Sequence, residues 1–78
     1  VHSKQVLTEK NLAALAKRFR KEAKKKRAQA ARDMGVAQTS IFNAEETPNQ
    51  SLTKMRIRLI EKYSPFKVVG PVFYLVKK

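Results

Sequence analysis

The sequence predicts a mainly α-helical single domain over residues 1–78, with four helices and a short C-terminal β element, and three observations predict it. Apolar residues recur at helical spacing in two stretches, one near each end of the first sixty or so residues. Between them, two shorter apolar patterns meet at a glycine. From Phe66 onward the chain changes to β-branched and aromatic residues with little room for a polar face.

The first helix is expected to begin after Thr8, a good N-cap, with Glu9 in its first turn to face the helix dipole. Leu12, Leu15, Ala16, Phe19 and Ala23 then form one apolar stripe, and Lys17, Arg18, Lys21 and Lys24 fall off it. The run Lys24 to Arg27 reads as a solvated helix end and connection.

The segment from about 27 to 46, RAQAARDMGVAQTSIFNAEE, holds two short helices around a tight turn. Ala30, Ala31 and Met34 give the first an apolar face, and Gly35 suits the left-handed conformation that ends a helix. Val36 restarts the apolar pattern, which Ile41 and Ala44 complete. A helix-turn-helix needs a small residue where its helices cross, a glycine at the turn and a branched apolar anchor in the second helix; Ala31, Gly35 and Ile41 supply them. With Ile41 and Ala44 turned inward, Gln38, Thr39, Ser40 and Asn43 lie on or near the outer face of that second helix. They are polar and uncharged, the chemistry that reads base edges. Phe42 is a large side chain left exposed by the same spacing.

Thr47 to Gln50 reads as a turn, with Ser51 as N-cap of a fourth helix running to about Tyr63. Leu52, Met55, Leu59 and Tyr63 make one stripe and Ile57 and Ile60 a second flank, which leaves Lys54, Arg56 and Arg58 for phosphates. Pro65 ends the helix, and a strand is expected over about 66–76, with Gly70-Pro71 as a bend or strand start rather than a tight hairpin. Its partner is expected to be the segment Lys4 to Leu7, the same strand of a second chain, or both. Val72, Phe73, Tyr74 and Leu75 are the expected dimerisation residues, because the tail carries more apolar surface than so short a chain readily covers.

Eighteen Lys and Arg against six Asp and Glu give a net charge of +12, which points to a polyanionic partner. Residues 1–27 hold ten basic and two acidic side chains, residues 28–46 one and three, and residues 47–78 seven and one. Positive flanks around a nearly neutral centre suit a chain whose flanks hold phosphates while the centre touches bases.

The stretch ARDMGVAQTSI, Ala31 to Ile41, resembles the A-x-x-x-G-V-x-Q-x-x-I core of the Cro and phage-repressor family of helix-turn-helix proteins, and the likeness covers roughly Leu12 to Tyr63. Arg20, Arg27 and Glu45 stand where that family commonly has a first-helix arginine, a donor opening the second helix, and a glutamate ending the third. The resemblance implies base contacts by Gln38, Thr39 and Asn43, a phosphate contact by Arg27, and a structural ion pair between Arg20 and Glu45. Lys26, Asn49, Gln50 and Lys54 complete the expected phosphate set. It further implies a repressor-like fold and a prokaryotic or phage-encoded, cytoplasmic transcriptional regulator that binds operator DNA as a homodimer. Two positions depart from the pattern: Arg27 replaces the usual glutamine, and Ala37 stands where Ser or Thr often caps the reading helix.

No catalytic role is expected. There is no cysteine, the single histidine is His2, and the six carboxylates show neither metal-ligand spacing nor a clustered pair. Two glycines are too few for a phosphate-binding loop, so no cofactor is expected. No run approaches the ~20 apolar residues of a membrane span, and Val1 to Lys10 lacks the apolar core of a secretory signal. The alternatives are an antitoxin with a protein toxin as partner, an RNA-binding basic protein, and a nonspecific DNA coater.

Overall fold

A computed structural model describes residues 7–69 and 74–78. The elements are α1 (Glu9–Glu22), α2 (Arg27–Met34), α3 (Gln38–Glu46), α4 (Thr53–Tyr63), β1 (Phe66–Val69) and β2 (Tyr74–Lys77). This is a mainly helical fold with a two-stranded antiparallel sheet.

Thr8 caps α1 through a capping box: its hydroxyl accepts from the Asn11 amide, and its own amide donates to the Asn11 side chain. Leu7, just before the cap, and Leu12, in the fourth helical position, are buried in the same cluster, the arrangement of a hydrophobic staple. The buried face of α1 is Leu12, Ala13, Ala16, Phe19 and Arg20. The expected stripe is thus rotated: Ala13 and Arg20 are inside, while Ala23 is the half-buried cap residue. Leu59 and Ile60 of α4, Ala30 and Ala31 of α2, and Ile41 and Ala44 of α3 close the core.

Both α1 and α2 end in Schellman motifs, which satisfy the last carbonyls of each helix. After α2, the Gly35 amide donates to the Arg32 carbonyl at 3.2 Å and the Val36 amide to that of Ala31 at 3.0 Å, with Gly35 at φ 67°. After α1, the Lys24 amide donates to Lys21 at 2.9 Å and that of Lys25 to Arg20 at 3.1 Å, but here a lysine holds the left-handed position, at φ 60°. The two sites should respond oppositely to exchange of glycine and a side chain. A Cβ at Gly35 meets nothing within 4 Å, so only its own backbone opposes Gly35→Ala. The left-handed cost, about 1–2 kcal/mol, is partly offset by the lower entropy of the unfolded alanine chain, leaving a net loss of roughly 0.5–1 kcal/mol. Lys24→Gly should gain a similar amount. Urea titrations of both variants check the pair; two shifts of the same sign would contradict the assignment.

α4 starts at Thr53 after Leu52, so Ser51 is not its cap. The tail also departs from the expected single strand. It folds back on itself, with Phe66 paired to Lys77 and Val69 to Tyr74, so β1 has a partner within the tail; the expected pairing segment from Lys4 and the Gly70-Pro71 bend lie outside the described residues. The hairpin is fastened to the helices. The Phe66 and Phe19 ring centroids lie 5.9 Å apart, and Phe66, Val68 and Leu75 pack on the core. The Val68 amide donates to the Glu61 carboxylate at 3.0 Å and the Lys78 amide to the Pro65 carbonyl at 2.8 Å. Of the expected dimerisation residues, Leu75 therefore packs on its own chain. Val72, Phe73 and the side chain of Tyr74 lie outside the described residues, as do residues 1–6.

Candidate nucleic-acid interface

The α2–α3 unit positions the candidate site. Ile41 and Ala44 anchor α3 at zero exposure. On its other side Gln38, Thr39 and Phe42 are exposed and Ser40 and Asn43 half-buried. Arg27, Gln38, Thr39 and Phe42 line one open groove of about 300 Å³, so the first turns of α2 and α3 contribute to the same surface. Neither helix has a side-chain cap at its start, since Lys26 and Ala37 make no capping hydrogen bond. Their first amides remain available to an external acceptor.

Arg20 and Glu45 form a bidentate pair beneath this surface, Nε to Oε2 at 2.5 Å and Nη2 to Oε1 at 2.9 Å, with both residues buried. The remaining terminal nitrogen, Nη1, donates to the Lys25 carbonyl at 2.7 Å and pins the α1–α2 turn. Arg27 joins the same cluster: its Nε donates to Glu45 at 3.0 Å, its Nη2 to Glu46 at 2.5 Å, and its guanidinium carbon lies 5.0 Å from the centroid of the Phe42 ring. The expected phosphate donor is therefore already paired with two carboxylates and stacked on an aromatic ring. Glu46 also receives the Lys17 ammonium at 2.6 Å, and that hydrogen bond holds its carboxyl below the usual carboxylate range.

The other expected phosphate residues stand apart from the groove. Lys26 is exposed immediately before α2, Asn49 and Gln50 are exposed in the α3–α4 loop, and Lys54 is exposed in the first turn of α4. Arg56, read from sequence as a further phosphate ligand, is fully buried. Its guanidinium donates to the carbonyls of Ala44 at 2.8 Å, Gln50 at 2.9 Å and Thr47 at 2.7 Å, and to the Glu9 carboxylate. The positive group thus sits against the last carbonyls of α3, where the helix dipole favours a cation. Arg58 is exposed and donates to the Met34 carbonyl at 3.2 Å.

Among the described residues no group of three or more His, Cys, Asp or Glu is placed to hold a metal ion, and no helix is long and apolar enough to cross a membrane. Comparison with protein-family models, curated proteins and solved structures finds no match to this chain.

Proposed function

We propose that this protein is a sequence-specific double-stranded DNA-binding regulator that lays α3 in the major groove of an operator. One observation carries the reading: on a chain of net charge +12, the exposed first turn of α3 is uncharged and polar, Gln38 and Thr39, and is held by a buried anchor beneath it. Major-groove edges are patterned donors and acceptors that amide and hydroxyl side chains can match, whereas charge alone would serve phosphate binding of any sequence. The uncapped starts of α2 and α3 support it, because free helix amides and the positive dipole end suit phosphate oxygens. Lys26, Lys54, Asn49 and Gln50 would hold the backbone on either side. The regulator would act by occupying its site rather than by catalysis, and as a homodimer it would read half-sites about one helical turn, ~34 Å, apart.

Selection of bound sequences from a random duplex pool, competed with RNA and with random DNA, tests the proposal. Enrichment of one short motif is the expected result; equal retention of all duplexes would leave only a nonspecific basic protein. On the selected duplex, Gln38→Ala should weaken binding by about 1–3 kcal/mol and leave random-DNA binding nearly unchanged. Lys26→Ala should weaken both alike and reduce the salt slope by about one unit. Equal losses on both DNAs for Gln38→Ala would remove it from base reading.

A further inference from the structure

Phe42 is the one large apolar side chain exposed among the described residues, at 46%. A single exposed apolar residue is ordinary on a protein surface. Its surroundings are not ordinary: it stands on the outer face of α3, lines the same groove as Gln38 and Thr39, and lies under the Arg27 guanidinium. Arg27 is fixed in turn by Glu45 and Glu46, and Glu45 by buried Arg20. A chain of ion pairs running from the core therefore ends on the Phe42 ring. That arrangement limits the ring's rotational freedom before any ligand arrives and lowers the entropy cost of using it in a contact.

A duplex offers few apolar groups to such a ring. On the floor of the major groove the base edges present donors and acceptors, and the prominent apolar group among them is the 5-methyl of thymine. Resting on the DNA-binding reading above, we propose that Phe42 is a specificity-determining residue that reads thymine through its methyl group, next to bases read by Gln38 and Thr39, and that Arg27 is the positioning residue that holds the ring. The charge of the chain supports DNA as the occupant of this apolar spot. A hydrophobic protein partner would have to bury the part-exposed Arg27 and Glu46 charges with it, whereas a duplex brings phosphates that suit the cations on either side of the groove.

The test uses the duplex selected by the full chain, with each thymine replaced in turn by deoxyuridine, which removes the methyl and keeps every hydrogen-bonding group. One position should lose affinity about four-fold, the worth of one methyl withdrawn from an apolar contact. Phe42→Ala should bind the thymine duplex about four-fold more weakly and should no longer distinguish the two bases there. Phe42→Leu should keep part of the discrimination. Arg27→Lys, which retains the charge but loses the planar stack, should reduce discrimination more than it reduces binding to random DNA. Because Phe42 is exposed, its variants should melt with the parent chain, and melting curves verify this. A selected motif that tolerates uracil at every position, or a uracil penalty that Phe42→Ala leaves intact, overturns the thymine assignment while DNA reading stands. Failure to enrich any motif overturns both.

Discussion

Arg56→Met should unfold the domain or leave it barely stable, by a margin larger than that of any surface charge. The side chain it replaces is fully buried and makes four hydrogen bonds, three of them to main-chain carbonyls of Ala44, Thr47 and Gln50. Methionine matches much of the volume but none of the donors. Each carbonyl left without a partner costs about 1–3 kcal/mol, and the Glu9 carboxylate loses its cation at the same time. The sum is comparable with the entire stability of a small domain, about 5–15 kcal/mol. Arg56→Lys tests whether charge alone suffices. An ammonium is a point donor that cannot span Ala44, Thr47, Gln50 and Glu9 together, so the lysine variant should recover only a minority of the loss. Circular dichroism with heating measures both. A cooperative melt for Arg56→Met within a few degrees of the parent would mean that the loop between α3 and α4 is organised by something other than this side chain.

Arg56 also shows where a sequence reading stops. Its position was legible: four residues after Leu52 and three before Leu59, it lies on the buried stripe of α4. The residue type argued against burial, since arginine is almost never fully buried without partners, and its partners are mostly backbone atoms that no sequence pattern displays. The same difficulty hid the end of α1. Gly35 announces its left-handed turn, whereas Lys24 adopts the same conformation with no chemical signal, so the stop could be placed only by the charge run around it. The α2–α3 turn and the inward set Ala31, Ile41 and Ala44 were readable because glycine chemistry and helical spacing agree there. The hairpin was not. Its two runs are short and apolar on both faces, and whether such runs pair with each other or with another chain depends on what lies beneath them; here Phe19 receives Phe66.

The candidate site divides along the same line. Gln38 and Thr39 were found because uncharged polar residues on the far side of buried Ile41 must face outward. Arg27 was assigned to phosphate by resemblance, as a donor opening α2, but Glu45 and Glu46, at the far end of the next helix, converge on it. Long-range pairing of that kind is a product of how α1, α2 and α3 pack, and spacing within one helix does not reveal it.

Glu45→Gln should lower stability by about 3–5 kcal/mol, the cost of breaking a buried ion pair by removing one partner. The carboxylate accepts two hydrogen bonds from Arg20 and one from Arg27, and its side chain has no exposed surface. Glutamine keeps the shape but turns one acceptor into a donor that faces a guanidinium, so the Arg20 charge remains buried with half its partner. Arg27 adds less to the loss, because its side chain is more than a quarter exposed and solvent screens what it gives up. For a domain of this size each kcal/mol moves the melting temperature by about 4–8 °C, so a fall of at least about 12 °C is expected. The double variant Arg20→Met with Glu45→Leu separates pairing from burial. Replacing both charges by apolar groups should recover much of the loss, because no ion is then stranded. Recovery should be incomplete, since the Lys25 carbonyl also loses its Arg20 donor and the turn into α2 loosens. A thermodynamic cycle over Arg20→Met, Glu45→Leu and the double variant gives the coupling directly. A coupling near zero, with Glu45→Gln melting only a few degrees below the parent, would show that water reaches the pair and that the surface carrying Gln38, Thr39 and Phe42 is held by α2–α3 packing alone.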